Sequence, residues 1–393
     1  MLIHHKTSFL ICFSIILVMV TGCSPDSQPS YRLVDASANE ETRTLYSNLM
    51  NMRHDHLLFG HQATLAYGYD WHHSELAPGE QRSDVKDVAG SFPSIYGWDI
   101  ADFYRSNYSE EEIAERTKQS IEWARFGHER GGILTFAWHK SNPETGQSFY
   151  DTTRAVSAII PGGERHDQYR SDLDYIAGFF RELAPVPVIF RPYHEHNGDW
   201  FWWGKGLCTE EEFIELWRFT VTYLRDEHGL NNLLYAFSPD RSRIDIDRFE
   251  EDYMYGYPGD DYVDIIGIDN YWDYGHPANE TPEDEQREHR IRTLEYTVRI
   301  ANDKNKLPAL TETGLEAIPD DTWWTRELLD PIMTNEITRQ ISYVQVWRNA
   351  NFDRENRDHY YAPFPGQVSA DDFVEFRNHP AVLFEDDLPP MYQ

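Results

Sequence analysis

Eight short runs rich in branched aliphatic and aromatic residues recur along this chain with helix-like segments between them. That alternation limits the possible folds more than any other feature. The runs are 57–62, 94–99, 132–139, 186–195, 232–240, 262–271, 307–314 and 341–349, and most end in polar or aromatic residues. The core of the fourth, Val186 to Phe190, is continuously apolar, as expected of a strand buried on both faces of a parallel sheet. Helix signals lie between the runs. Ser109 and Glu112 form a capping-box pattern ahead of Ile113, Thr117, Ile121 and Ala124 on one face. Thr209 and Glu212 repeat it ahead of Phe213, Leu216, Trp217, Thr220 and Leu224, with Gly229 as the stop. Eight βα units predict the α/β class and a (β/α)8 TIM barrel, as one catalytic domain over 33–393. A doubly wound open sheet is the alternative, but no Gly-x-Gly-x-x-Gly follows the first strand. The acidic, proline-containing stretch 273–290 reads as a solvated loop after strand six.

Composition narrows the ligand. Hydrophobic residues make up 40% and aromatics 15%, enough for a core with aromatics left over for a cleft. The formal charge of -32, from 35 basic against 67 acidic residues, argues against nucleic acid and polyanionic glycans and favours a neutral ligand. At the N-terminus, Lys6 precedes an apolar stretch from Phe9 to Val20 that ends in Val20-Thr21-Gly22-Cys23-Ser24. Residues 1–22 therefore read as a lipoprotein signal peptide, with Cys23 acylated and 23–32 a flexible tether. The expected location is a bacterial envelope, lipid-anchored at the outer membrane on its periplasmic or external face. The lipid would be the only membrane contact, and the protein a monomer. Cys12 would leave with the signal, so Cys208 has no disulfide partner and reads as a small hydrophobe.

The chemistry concentrates at Arg191-Pro192-Tyr193-His194-Glu195-His196-Asn197-Gly198-Asp199-Trp200-Phe201-Trp202-Trp203-Gly204. Sugar rings offer an apolar face to aromatics and hydroxyl edges to charged groups, and this stretch supplies both. Charged residues at a strand's C-terminal end mark the active face of a barrel. Glu195 ends strand four, Glu312 ends strand seven, and those strands face each other across the barrel mouth. Glycoside hydrolysis needs such a pair, one carboxylic acid and one carboxylate. Histidines and tryptophans around Glu195 favour a raised pKa and a proton donor, while Arg191 and Tyr271 suit an ionised Glu312. Two other readings start from the same residues. His194 and His196, with His139, could ligate a metal, and the barrel could be a non-catalytic glycan-binding lipoprotein.

The segment resembles the acid/base region of glycoside hydrolase family 26, the β-mannanases of a retaining barrel clan. Further blocks resemble the same family: Phe59-Gly60-His61-Gln62, Ser94 to Asp99, His139 to Pro143, Pro161 to Gly163, Tyr235 to Pro239, Gly267 to Tyr271 and Val346 to Ala350. The resemblance runs from about Leu33 to beyond His359. It implies a retaining β-1,4-mannan hydrolase, endo-acting or mannobiose-releasing, with Glu195 as acid/base and Glu312 as nucleophile. A xylanase or mixed-linkage glucanase of the same family is the nearest alternative. The implied substrates are β-mannan, galactomannan or manno-oligosaccharides, without cofactor or metal. The implied substrate-binding set also includes Arg191. His194 would orient the acid/base, Asp269 and Tyr271 would support the nucleophile, and Trp347 would lie under the sugar at the cleavage subsite. Arg348 would grip the next sugar, and His139, Trp200 and His359 would contact others. Tyr150 stands where some relatives carry tryptophan, and Thr311-Glu312-Thr313-Gly314 where the family form is Ser-Glu-Ile-Gly.

Overall fold

The computed structural model describes residues 31–350 and 355–393, and Arg32–Gln393 form one compact unit. The signal peptide, Cys23 and most of the tether lie outside the described residues. Among the described residues no helix is long and apolar enough to cross a membrane.

Eight parallel strands close on themselves: β1 (Leu57–Gln62), β2 (Ile95–Asp99), β3 (Ile133–Trp138), β4 (Val188–Pro192), β5 (Leu233–Phe237), β6 (Ile265–Asn270), β7 (Leu307–Thr313) and β8 (Tyr343–Val346). Each pairs with its successor, and β8 returns to β1 with Leu58 opposite Tyr343. This is the (β/α)8 barrel that the eight-fold alternation predicts. Every residue of all eight strands is buried, which explains why the core of the fourth run reads as continuously apolar instead of alternating. A ninth strand, β9 (Val382–Leu383), was not anticipated; it joins the start of β1. The segment leading to it packs on the outside of β1, where Phe59 stacks on Phe384 at 4.9 Å and meets Phe373 edge-on at 5.3 Å.

Both predicted capping boxes form. Ser109 Oγ accepts from the Glu112 amide at 3.2 Å, and Glu112 accepts in return from the Ser109 amide at 2.8 Å, opening the helix Glu110–Glu129. Thr209 and Glu212 do the same for Glu210–Thr222, whose Phe213, Leu216, Trp217 and Thr220 are buried.

Two expectations need correction. Strand four ends at Pro192 instead of reaching Glu195, because Tyr193 and Glu195 take left-handed φ values of 48° and 54° that no extended strand accommodates. The stretch 273–290 is not a uniform solvated loop. Asp273 is fully buried against Arg241 at 2.9 Å, and 283–290 open the helix Glu283–Asp303. Pro282 and the acidic first turn Glu283, Asp284 and Glu285, which had suggested a loop, are what a helix N-terminus favours.

Candidate active site

The turn after β4 is built by its neighbours. The Glu195 amide donates to the Ser238 carbonyl at 2.8 Å, and the Gly198 amide donates back to the Glu195 carbonyl at 2.9 Å. Trp203 Nε1 donates to the His194 carbonyl at 2.9 Å. Left-handed conformations cost non-glycine residues on the order of 1 kcal/mol each, so Tyr193 and Glu195 hold them only because the surroundings over-determine the turn. The effect is to lift Glu195 off the strand line into an open cleft of about 590 Å³ at the barrel mouth.

Of the residues singled out from sequence, His139, Tyr150, His194, Glu195, Trp200, Tyr271, Glu312, Trp347 and His359 line this one cleft. Glu312 comes from the end of β7 and the others from the segments after β3, β4, β6 and β8. Arg191 and Asp269, grouped from sequence with the substrate-binding residues, are 2% and 0% exposed and lie behind Glu312 instead of on the cleft surface. Arg348 flanks the cleft lining, with its guanidinium 6.0 Å from the Trp347 ring and Nη2 donating to Glu355 at 2.5 Å.

Glu312 is 5% exposed and held at both oxygens. Tyr271 donates to Oε1 at 2.8 Å, and Arg191 Nη2 donates to Oε2. The other end of Arg191 binds Asp269 at 2.6 Å, and Thr311 donates to Asp269 at 2.7 Å. Burial opposes the Arg191 charge, but Asp269 and Glu312 hold its pKa above the ordinary value. Fixed positive charge and a phenol proton thus aim at one carboxylate.

Glu195 has the opposite surroundings. It is half-buried, accepts one bond from Trp200 Nε1 at 2.8 Å, and shares the cleft with other acids. Burial, then the charges of Asp240, Asp269 and Glu312, push its pKa well above the usual carboxylate range. The two carboxyl groups thus meet opposite surroundings in one cleft: like charges and burial on Glu195, a guanidinium and a phenol on Glu312.

Behind them runs a histidine pair. His139 is clamped to Asp99 through Nδ1 and through its amide at 3.1 Å, and its Nε2 lies 3.0 Å from His194 Nε2. Burial opposes ionisation of Asp99, yet His139 holds its pKa down at about 2. Burial, Arg191 and His139 push His194 well below its ordinary value, so its imidazole is neutral. His359 Nδ1 is 2.5 Å from Glu316, while its Nε2 is buried with no hydrogen-bond partner among the described residues. A sugar hydroxyl would satisfy it.

His196 does not stand beside His194. Its Nε2 bonds the Tyr255 carbonyl at 2.7 Å and its ring stacks on Phe213 at 4.4 Å. Among the described residues no group of three His, Cys, Asp or Glu side chains could hold a metal ion. Cys208 is buried, with its pKa pushed up to about 12 by burial and then Glu212, so it has no nucleophilic character.

Sequence reasoning missed Asp240, Ser242, Arg243, Trp272 and Tyr361, all of which line the cleft. Asp240 could have been found, because it is a charged residue at the end of the fifth predicted strand. Arg243, stacked at 5.1 Å on Trp200 and paired with Asp199 at 2.6 Å, carried no comparable signal.

The barrel and its paired carboxylates are those of a carbohydrate-active hydrolase. Residues 34–289 match the model of glycosyl hydrolase family 26, and the chain belongs to that family. It is 30% identical over 379 residues to a mannan endo-1,4-β-mannosidase of Bifidobacterium adolescentis, covering 90% of this chain but 36% of that relative. A GH26 β-mannanase from Bacteroides ovatus is 37% identical, with a TM-score of 0.77 over 90% of this chain and 98% of that one. The catalytic domain of a Bacillus sp. GH26 endo-β-1,4-mannanase is 32% identical, with a TM-score of 0.82 over 93% and 97%.

Asp240 exerts the largest of the charge effects on Glu195, so Asp240→Asn removes a like charge and lowers the Glu195 pKa. The alkaline limb of the kcat/KM profile should therefore move to lower pH. An unmoved limb, or one displaced upward, would show that Asp240 does not tune the acid.

Proposed function

We propose that this protein is a retaining β-1,4-mannan hydrolase acting on mannan, galactomannan or manno-oligosaccharides, with Glu195 as acid/base and Glu312 as nucleophile. The observation that carries the reading is the opposed treatment of two carboxylates in one cleft: Arg191 and Tyr271 on Glu312, burial and like charges on Glu195. The names of the relatives supply the substrate class.

In the first step the Glu312 carboxylate attacks the anomeric carbon while the glycosidic C–O bond breaks. Glu195 gives its proton to the departing oxygen. The product is a glycosyl ester on Glu312, and Glu195 is left as a carboxylate. In the second step that carboxylate takes a proton from water, the hydroxide attacks the anomeric carbon, and the ester bond to Glu312 breaks. Both residues return to their starting states. Arg191 and Asp269 act through Glu312 as positioning groups, and His194, bonded to His139, holds the acid side. Trp347 forms the apolar platform under the sugar at the cleavage point. Arg348 grips the next sugar, while Tyr150, Trp200 and His359 reach hydroxyls or ring faces elsewhere in the cleft.

Glu312→Ala should remove turnover on every substrate by roughly 10⁴-fold or more. Glu195→Ala should cost about 10²–10⁴-fold on mannan, yet far less on aryl mannosides with good leaving groups, which need little protonation. Steady-state kinetics on both substrate types decide it, and equal losses on the two would remove Glu195 from the acid role.

We also propose that the chain acts as a monomer tethered to the bacterial envelope through an acylated Cys23. Metabolic labelling with a radioactive fatty acid should mark the wild type and not Cys23→Ser; label retained in that variant would contradict the anchor.

A further inference from the structure

Trp200 lines the active cleft, but its indole is already engaged from two directions. Gly198 lies against the ring: a Cβ at that position would meet Cη2, Cζ2 and Cζ3 at nearly equal distances, all within 2.6 Å. Three consecutive ring atoms equally near put the glycine on the face of the six-membered ring, an approach open only to a residue without a side chain. The guanidinium of Arg243 lies over the same indole, 5.1 Å from its centroid, and pairs with Asp199 at 2.6 Å. Arg243 ends the single helical turn Arg241–Arg243 after β5. That turn is stapled to the one after β4 by Asn197. Its Nδ2 donates to the Asp240 carbonyl at 2.7 Å, and its Oδ1 accepts from the Asp240 amide at 2.7 Å.

The indole held in this way donates from Nε1 to Glu195 Oε2 at 2.8 Å. An indole nitrogen only donates, so Oε2 must accept. In a carboxylic acid the carbonyl oxygen is the better acceptor, which leaves the acidic proton on Oε1. When that O–H bond breaks and the proton joins the glycosidic oxygen, the electron pair stays on Glu195, and the indole N–H then faces a carboxylate. A hydrogen bond to an ion is roughly twice as strong as one to a neutral group, so this contact tightens as the proton leaves.

Resting on the acid/base reading of Glu195 above, we propose that Arg243 is a positioning residue: with Gly198 it holds Trp200 so that the indole N–H fixes which oxygen of Glu195 delivers the proton. Arg243 acts through Trp200, and its effect on turnover exists only while the indole N–H is there to be aimed.

The test is a double-mutant cycle of Arg243→Ala and Trp200→Phe, read as kcat/KM on mannohexaose, on an aryl mannoside with a good leaving group, and against pH. Arg243 is exposed, so its truncation leaves the core packed. Arg243→Ala should lose roughly tenfold on mannohexaose, a part of the about 10²–10⁴-fold that a general acid supplies. The loss on the aryl mannoside, which needs little protonation, should be several-fold smaller. Glu195 is also faced by Asp240, Asp269 and Glu312 and by the phenols of Tyr150 and Tyr271, which both variants leave in place. Losing the indole donor therefore raises the Glu195 pKa and carries the alkaline limb of the kcat/KM profile upward. In the Trp200→Phe background, which keeps a ring but no N–H, Arg243→Ala should add less than about twofold and no further movement of the limb. A full loss in that background, an unmoved limb in Arg243→Ala, or equal losses on the two substrates would mean that the arginine meets the sugar, acts by its charge or merely supports the fold, and overturns the proposal. If Glu195→Ala itself loses equally on both substrates, the acid reading falls and this one with it.

Discussion

The guanidinium of Arg191, 2% exposed and shared between Asp269 and Glu312, is the interaction on which the rest of the site depends. One side chain ties β4 to β6 and β7 at the mouth of the barrel. Buried ion pairs are poor sources of net stability, since desolvation offsets most of their attraction, but deleting one member strands a charge at about 3–5 kcal/mol. Here the remaining valences are filled: Thr311 and Ser238 serve Asp269, and Tyr271 serves Glu312. A fully satisfied cluster of this kind fixes the direction of the Glu312 carboxylate, and a reacting anion needs its direction fixed more than its energy lowered.

The same cluster shapes Glu195 from a distance. A guanidinium and a phenol are spent on Glu312, whereas Glu195 receives a single indole N–H and faces the cleft's negative charge. The asymmetry between two chemically identical side chains is therefore a matter of placement. Closure of the barrel brings an arginine from β4 to the glutamate of β7 and leaves the glutamate after β4 without it.

Much of this was legible before any coordinates. The eight strands were readable because parallel barrel strands are buried on both faces and are therefore rich in branched aliphatic and aromatic residues. The two carboxylates were readable because strand C-termini converge on one mouth. Other features depend on contacts distant in sequence. The overshoot of strand four to Glu195 reflects left-handed residues held by Ser238 and Trp203, which propensity alone does not reveal. Arg191 was grouped with the sugar contacts as well as read as a donor to Glu312; the closed sheet buries it behind Glu312, where only the second of these holds. The acidic stretch after β6 read as loop because its proline and carboxylates suit a solvated segment equally well, and the burial of Asp273 depends on Arg241 after the neighbouring β5. The short β9 has too few residues to leave a pattern of its own.

The most direct test of the central claim is to trap the intermediate. Incubation with a 2-deoxy-2-fluoro-β-mannosyl fluoride, followed by peptide mass spectrometry, should find one sugar esterified to Glu312, and no adduct in Glu312→Ala. Label on Glu195 or on any other carboxylate, or turnover of the activated fluoride with inversion and no adduct, would contradict the account.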